Sequence, residues 1–333
     1  MTQRVLFIGG TGIISSACSP LAIQRGMELY LFNRGQSLRP APDGARLLAG
    51  DIRQDPQSLA QAVDEHAIDV VVNWIAYHPD EVRRDIELLK GKLKQFVFIS
   101  SASAYAKPVP QLPITEATPL NNPYWEYSRN KQACEEALMD AYASEGFPAT
   151  IVRPSHTYDK TLLPFSGRWT VVERMRQGKQ VVVHGDGSSL WVLTHHADFA
   201  KGFVGLLGRQ EAVGQIYHIT SDELLSWNAI YAMVAEAAGA EYRPVYAPSS
   251  LIAEYDAELG AGLLGDKAHS VIFDNHKIKA LVPEFEATIP FAQGVQEIIA
   301  WHEANPQFKV IDEAHNALQE RIVADMATLP HKS

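Results

Sequence analysis

The chain has 333 residues, 46% apolar and 20% charged, which suits one large or two medium domains with a full core and excludes a disordered chain. With 29 Lys+Arg against 39 Asp+Glu the net charge is −10, which repels phosphate backbones at long range and counts against a general nucleic-acid binder. Two cysteines, Cys18 and Cys134, exclude a disulfide framework, and no run approaches ~18 uninterrupted apolar residues, so a soluble cytoplasmic protein is the simplest reading.

Val5-Leu6-Phe7-Ile8 is a short continuous apolar run, the pattern of a strand buried on both faces of a parallel sheet. It ends at Gly9-Gly10-Thr11-Gly12-Ile13-Ile14-Ser15, and a helical segment follows to about Arg25. Glycines at 9 and 12 let the backbone turn tightly and approach a pyrophosphate seated on the first amides of the helix, so Gly9, Thr11, Gly12 and Ile13 are candidate cofactor contacts. Ser15 stands where a third glycine is usual, and Pro20 predicts a kink or an early break, since proline inside a helix costs ~3 kcal/mol.

A second strand, Glu28 to Phe32, ends at Asn33-Arg34-Gly35. An NAD enzyme typically carries Asp or Glu near this point for the ribose hydroxyls. Asn33 followed by Arg34 removes the repulsion against a 2′-phosphate and supplies a cation for it, so NADP is favoured and NAD stays open. Leu47 to Arg53 reads as a third strand and a turn, where Asp51, with Ile52 beside it, can accept from an adenine amino group. Asp55-Pro56 opens a polar helix to about His66, and Val70 to Asn73 is a fourth strand.

A helix from Asp80 to Leu89 leads to a fifth strand, Phe96 to Ser100, with Ser101 at its end. Short apolar strands alternating with helices imply a right-handed α/β fold, a doubly wound parallel sheet of the Rossmann type with ligands at the carboxyl ends of its strands. From Tyr124 to Glu145 apolar residues recur at helical spacing, so Tyr127 and Lys131 leave one face of one helix. A phenol titrates near pH ~10, and an ammonium one turn away favours the phenolate and brings Tyr127 towards working range as an acid or base. Ser101, if its strand end lies opposite, holds the substrate oxygen while Tyr127 moves the proton.

Taken with Gly50-Asp51-Ile52, Arg153-Pro154, Gly185-Asp186-Gly187 and Asp198-Phe199-Ala200, these stretches resemble the extended short-chain dehydrogenase/reductases, the nucleotide-sugar epimerases, dehydratases and reductases. The resemblance implies Tyr127 as acid/base, Lys131 on the nicotinamide ribose and lowering the phenol pKa, Ser101 on the reacting oxygen, and Ser103 as a secondary polar contact. It implies a sugar epimerase or reductase working by hydride transfer at a carbohydrate hydroxyl or ketone carbon. Ala102 and Ser103 stand where dehydratases of this family carry an acidic pair, so elimination of water is not expected. The family's Arg-x-x-Asn contact reads Arg153-Pro154-Ser155-His156, and Trp191 occupies the position of an arginine that grips a diphosphate. Trp191 can stack on a sugar ring but cannot pair with a phosphate, which leaves two alternatives: another cation such as Arg168 holds the diphosphate, or the substrate is not a nucleotide sugar. The short segment between the fourth and fifth strands is also similar to a subgroup that includes the chloroplast stem-loop RNA-binding proteins, so an RNA-related role is the competing reading. An acidic chain that keeps Tyr127 and Lys131 departs from that subgroup.

After a sixth strand, Thr150 to Arg153, the alternation loosens. Residues 1–155 are expected to form the dinucleotide-binding domain, with later returns near 197–220 and 267–280. Residues 156–333 are expected to form mainly a smaller α/β substrate-binding region and C-terminal helices. Predicted elements there are a helix from Val171 to Gln177, a strand from Val181 to His184, and helices over Ala197–Leu207, Trp227–Ala238, Ala292–Glu303 and Ala314–Met326. The last has an apolar side that can cover the core or a second copy in a homodimer. His195-His196 point in different directions and no metal is expected; His195 reads as structural and Asp198 as a helix N-terminal acid.

Overall fold

The computed structural model describes residues 2–329. The first half lays down strands β1 (Arg4–Ile8), β2 (Glu28–Asn33), β3 (Arg46–Ala49), β4 (Val70–Asn73), β5 (Gln95–Ile99) and β6 (Ala149–Pro154), with helices α1 (Ser15–Gln24), α2 (Gln57–Glu65), α3 (Pro79–Leu89) and α4 (Glu126–Glu145) between them. The second half adds β7 (His156–Tyr158), α5 (Trp169–Arg176), β8 (Val181–His184), β9 (Leu190–Trp191), β10 (Leu193–His195), α6 (His196–Leu206) and β11 (Gln215–Ile219). It continues through β12 (Leu225–Ser226), α7 (Trp227–Ala237), β13 (Pro244–Ala247), α8 (Ser249–Tyr255), α9 (Ala257–Gly262), α10 (His276–Leu281), α11 (Phe291–Ala304) and α12 (Glu313–Ala327).

Seven strands form one parallel sheet in the order β11-β6-β5-β4-β1-β2-β3. The order reverses between β1 and β4, so the loops after these strands diverge and open a crevice at their carboxyl ends. Alternate residues feed two apolar layers. Val5, Phe7 and Val72 pack with α1 and α6, while Leu6, Ile8 and Val71 pack with α2, α3 and α4. That two-sided burial is why the strands read as unbroken apolar runs. β3 lies at the sheet edge, and its Leu47 is correspondingly 62% exposed.

The break expected at Pro20 does not occur. Pro20 is exposed and α1 runs through it, because the opposite side of the helix, Ser15, Cys18, Ser19 and Ala22, is buried and α1 packs along α6. One missing backbone bond is outweighed by that packing. The remaining strands make three two-stranded sheets, β7 with β10, β9 with β12 and β8 with β13, around a second core that includes Tyr158, Trp169, Trp227 and Phe291. α12 packs on β8 and β13.

The adjacent histidine rings meet edge to face at 4.8 Å and bond to different partners. His195 Nδ1 accepts from the Ala197 amide at 3.3 Å and caps α6, and its Nε2 lies 3.3 Å from Glu297 Oε2. His196 Nδ1 lies 3.0 Å from Ser16 Oγ. Asp198, in the first turn of α6, accepts from the Ile289 amide at 2.8 Å and from Lys201 Nζ at 2.6 Å, so it ties the helix to a distant segment as well as facing its dipole. Among the described residues no three His, Cys, Asp or Glu side chains converge as metal ligands, and no helix is long and apolar enough to cross a membrane.

Candidate active site

Two adjoining cavities of about 620 Å³ and 430 Å³ occupy the carboxyl ends of the strands and share Gly9, Thr11, Ile75 and Tyr77 as walls. The smaller is lined by Phe32, Asn33, Arg34, Gln36, Ser37, Gly50, Asp51, Ile52 and Arg53. Gly9 and Gly10 between them have φ of +98° and +87°, and a Cβ on Gly10 would lie 2.6 Å from Leu31 Cδ2. Only glycine fits there, and the backbone is left bare towards the crevice. Ser15, in place of a third glycine, accepts from the Gly12 amide at 2.8 Å, and Ser19 donates to the Gly10 carbonyl at 3.0 Å, so the turn is braced from α1.

Arg34 is exposed on the wall of the smaller cavity, free to reach a ligand there. Asn33 behaves differently from a ribose contact. Its Nδ2 donates to the Gly9 carbonyl at 3.3 Å and its Oδ1 accepts from the Gly35 amide at 2.8 Å, which makes it a brace between two turns. Asp51 Oδ1 accepts from the Arg53 amide at 3.0 Å, and Ile52 is buried beneath. Arg53, which sequence reasoning passed over, adds a second guanidinium to this wall and pairs with Glu81 at 3.2 Å.

The larger cavity brings together Gly9 to Ser15, Ser101, Ser103, Tyr127 and Lys131. Ser101 follows β5 and Tyr127 lies in the first turn of α4, so the strand end does face the helix. The hydroxyls form a chain: Ser128 Oγ donates to Ser103 Oγ at 2.9 Å, and Ser103 Oγ lies 2.9 Å from Ser101 Oγ. Ser101 Oγ also accepts from the Ser103 amide at 3.2 Å. The Ser101 hydroxyl lines the cleft together with Tyr127. Ser128 was not anticipated, although its place beside Tyr127 was the available signal.

Lys131 corrects one expectation. Its Nζ donates to the carbonyls of Ala76 and Ile99, each at 2.8 Å, and lies 5.8 Å from the centre of the Tyr127 ring. Burial pushes its own pKa down to about 8, and burial likewise pushes the Tyr127 phenol up, with the Ser101 hydroxyl pulling partly against that rise. The phenol is therefore held neutral, not lowered by its neighbour, because desolvation outweighs an ammonium turned towards two carbonyls.

The far wall holds His156, Trp191, Trp125, Val271, Phe273, Asp266 and Lys267. His156 meets Trp191 edge to face at 6.4 Å, and burial, with the Lys267 charge adding to it, lowers its pKa to about 3, so the imidazole is neutral. Arg168 is not here. It is exposed at the start of α5, with φ of +44°, and does not line the cleft, which corrects its expected role as a substrate contact. The cation on this wall is Lys267, from a turn that carries no recognisable motif. Trp125, two residues ahead of Tyr127, is the other wall residue that spacing alone did not single out.

The space fits a nicotinamide dinucleotide, since the glycine turn, through Gly9 and Thr11, walls both the cavity that holds Arg34 and the cavity that holds Tyr127. The family model for the "NAD dependent epimerase/dehydratase family" matches residues 5–220. A 2′-dehydrokanamycin reductase of Streptomyces kanamyceticus is 27% identical over 292 residues, covering 86% of this chain and 80% of that protein. The chloroplast stem-loop binding protein of 41 kDa b of Arabidopsis thaliana is 27% identical over 251 residues, covering 71% of this chain and 64% of that protein. In fold, the chain is similar to the UDP-glucuronic acid 4-epimerase of Bacillus cereus, solved with UDP-glucuronic acid and NAD, with a TM-score of 0.73 at 17% identity over 91% of this chain and 99% of that one.

Proposed function

The chain belongs to the NAD dependent epimerase/dehydratase family, and within it we propose that it is a nicotinamide-dependent reductase of a carbohydrate ketone. The observation that carries this reading is the meeting of Tyr127, Ser101 and Lys131 in one cavity with the glycine turn, where burial raises the phenol's pKa further. A neutral phenol is ready to give a proton to a developing alkoxide, which is what ketone reduction requires. A reduced nicotinamide held there would supply the hydride. Ser101 would donate to the ketone oxygen and orient it, with Ser103 and Ser128 holding the serine oxygens in place. Lys131, anchored between the ends of β4 and β5, would hold the nicotinamide ribose.

Gly9, Thr11, Gly12 and Ile13 would hold the pyrophosphate, Asp51 and Ile52 the adenine side, and Arg34 with Arg53 a 2′-phosphate, so NADP is the cofactor we assign. His156 and Trp191 would take the sugar, the neutral imidazole by hydrogen bonding and the indole by stacking. The kanamycin-related relative, whose name specifies reduction of a dehydro-aminoglycoside, supports a ketone on a sugar ring as substrate class. The stem-loop binding relative favours RNA instead, but the net charge of −10 and the assembled Tyr127 and Lys131 weigh against it.

The deciding measurement is consumption of reduced NADP with a panel of ketosugars. Stoichiometric loss of nicotinamide absorbance supports the reductase. Interconversion of sugar isomers with no net change in cofactor would establish an epimerase in its place.

A further inference from the structure

Residues 34–45 leave the end of β2, pass the glycine turn and the start of α1, and return as β3. Arg34, Gln36 and Ser37 on this loop wall the smaller cavity. Arg39 to Asp43 face Gly10, Thr11, Ser16 and Ser19 across a separate space of about 320 Å³. Residues 34–38 are all exposed, Leu38 at 91%, so apolar burial does not hold the stretch that would meet a ligand. Polar bonds fix it at its two ends, those of Asn33 at the first and those of Arg39 at the second.

The Arg39 guanidinium reaches groups from two distant elements. Nη1 donates to the Asp159 carboxylate and lies 3.3 Å from Ser16 Oγ in α1, and Nη2 donates to Thr161 Oγ1 at 2.5 Å. Asp159 is 2% exposed, and its other oxygen accepts from the Thr161 amide at 2.9 Å and from the Thr161 hydroxyl at 2.6 Å. A carboxylate this deeply buried needs a counter-charge, and among the described residues Arg39 is the cation that pairs with it. Asp159 directly follows β7, whose His156 and Thr157 line the larger cavity. The ion pair therefore ties a loop of the nucleotide end to the strand behind the far wall. Neither Arg39 nor Asp159 lines either cavity, so the pair acts through the loop it fastens.

We propose that Arg39 and Asp159 form a latch that holds Arg34 in place for the 2′-phosphate, which makes both of them positioning residues for NADP selectivity. This deepens the cofactor assignment above and rests on it. A loop that is already ordered loses little freedom when the cofactor arrives, whereas an unlatched loop must be ordered during binding, at a cost in affinity. That cost falls on the contact between Arg34 and the 2′-phosphate. The glycine turn, Asp51 and Ile52 lie outside the loop and serve NADP and NAD alike.

The test is calorimetric titration of oxidised NADP and of NAD into the full-length protein and its Arg39→Ala, Asp159→Ala and doubly substituted forms. Each single substitution is expected to weaken NADP about fivefold or more and NAD less than about twofold, and the double form to lose no more than the larger single loss. Unchanged NADP affinity in Arg39→Ala overturns the latch, as do equal losses for the two cofactors or additive losses in the double form. A loss in Arg39→Ala with none in Asp159→Ala also overturns it, and places Arg39 on a cofactor phosphate directly. Should Asp159→Ala fail to fold, Thr161→Val, which removes the second acceptor of the guanidinium, decides in its stead: selective weakening of NADP supports the latch and unchanged NADP overturns it. Arg34→Ala separates the two readings. If it leaves NADP unaffected, the 2′-phosphate assignment fails and the latch with it, whereas a selective loss there with none in Arg39→Ala refutes only the latch.

Discussion

At its nucleotide end the crevice is built on the glycine turn, whose Gly9 and Thr11 wall both cavities, and on the residues that follow β2 and β3. At its far end it is walled by the side chains of His156, Trp191, Lys267 and Phe273, drawn from four separate segments. A glycine turn between a strand and a helix does its work within a handful of residues, so it is local and reusable across substrates. A side-chain wall exists only once distant segments have packed, so it is where one family member differs from another. Tyr127, Lys131 and Ser101 lie between these extremes, since one helix and one strand end suffice to bring them together.

This division predicts which changes strike chemistry, which strike cofactor binding and which strike neither. The largest effect is expected for Tyr127→Phe: reduction should fall by ~10²–10⁴-fold while cofactor titration stays that of the parent, since only the proton donor is lost. Turnover near the parent level would remove Tyr127 from the chemistry. Next comes Gly10→Val, which places a branched side chain at φ +87° where even a Cβ meets Leu31 at 2.6 Å. Denaturant unfolding should report a loss of ~2–4 kcal/mol, and cofactor affinity should fall with it. An unchanged midpoint would mean that the turn is not built as described.

Lys131 offers a test by pH. Its folded-state pKa is depressed to about 8 by burial, below the ordinary lysine value, so protonated Lys131 disfavours the folded state. That penalty is fully present below about pH 8 and is relieved as the pH rises towards the unfolded value. The stability of the parent relative to Lys131→Met should therefore improve by ~3 kcal/mol between about pH 8 and pH ~10.5, followed by urea titrations at several pH values. A flat difference would show that the amine is solvated.

A smaller effect is expected at the nucleotide end. Arg34→Ala should weaken NADP about tenfold and leave NAD nearly unaffected, because only the former offers a ribose 2′-phosphate to an exposed guanidinium. Equal losses for both would place Arg34 on the adenine or the pyrophosphate. The smallest effect is predicted for Arg168→Ala, within ~0.5 kcal/mol in stability and without change in KM, since this side chain lies on the surface away from the cleft. A raised KM there would mean that the far wall extends beyond the residues assigned to it.

The amino-acid sequence by itself determined the sheet, its glycine turn and the pairing of Tyr127 with Lys131, because each is written in short-range spacing: apolar runs of strand length, glycines at a strand end, a four-residue step on a helix. Only the tertiary structure decided that α1 continues through Pro20, that Asn33 braces two turns, that Arg168 faces solvent and that Lys267 takes its place on the wall beside Trp191. Each of these outcomes depends on a partner far away in the chain, α6 for the helix and His184, Ser189 and Trp227 for the Lys267 turn. The rise in the Tyr127 phenol's pKa likewise comes from burial, which no local spacing encodes.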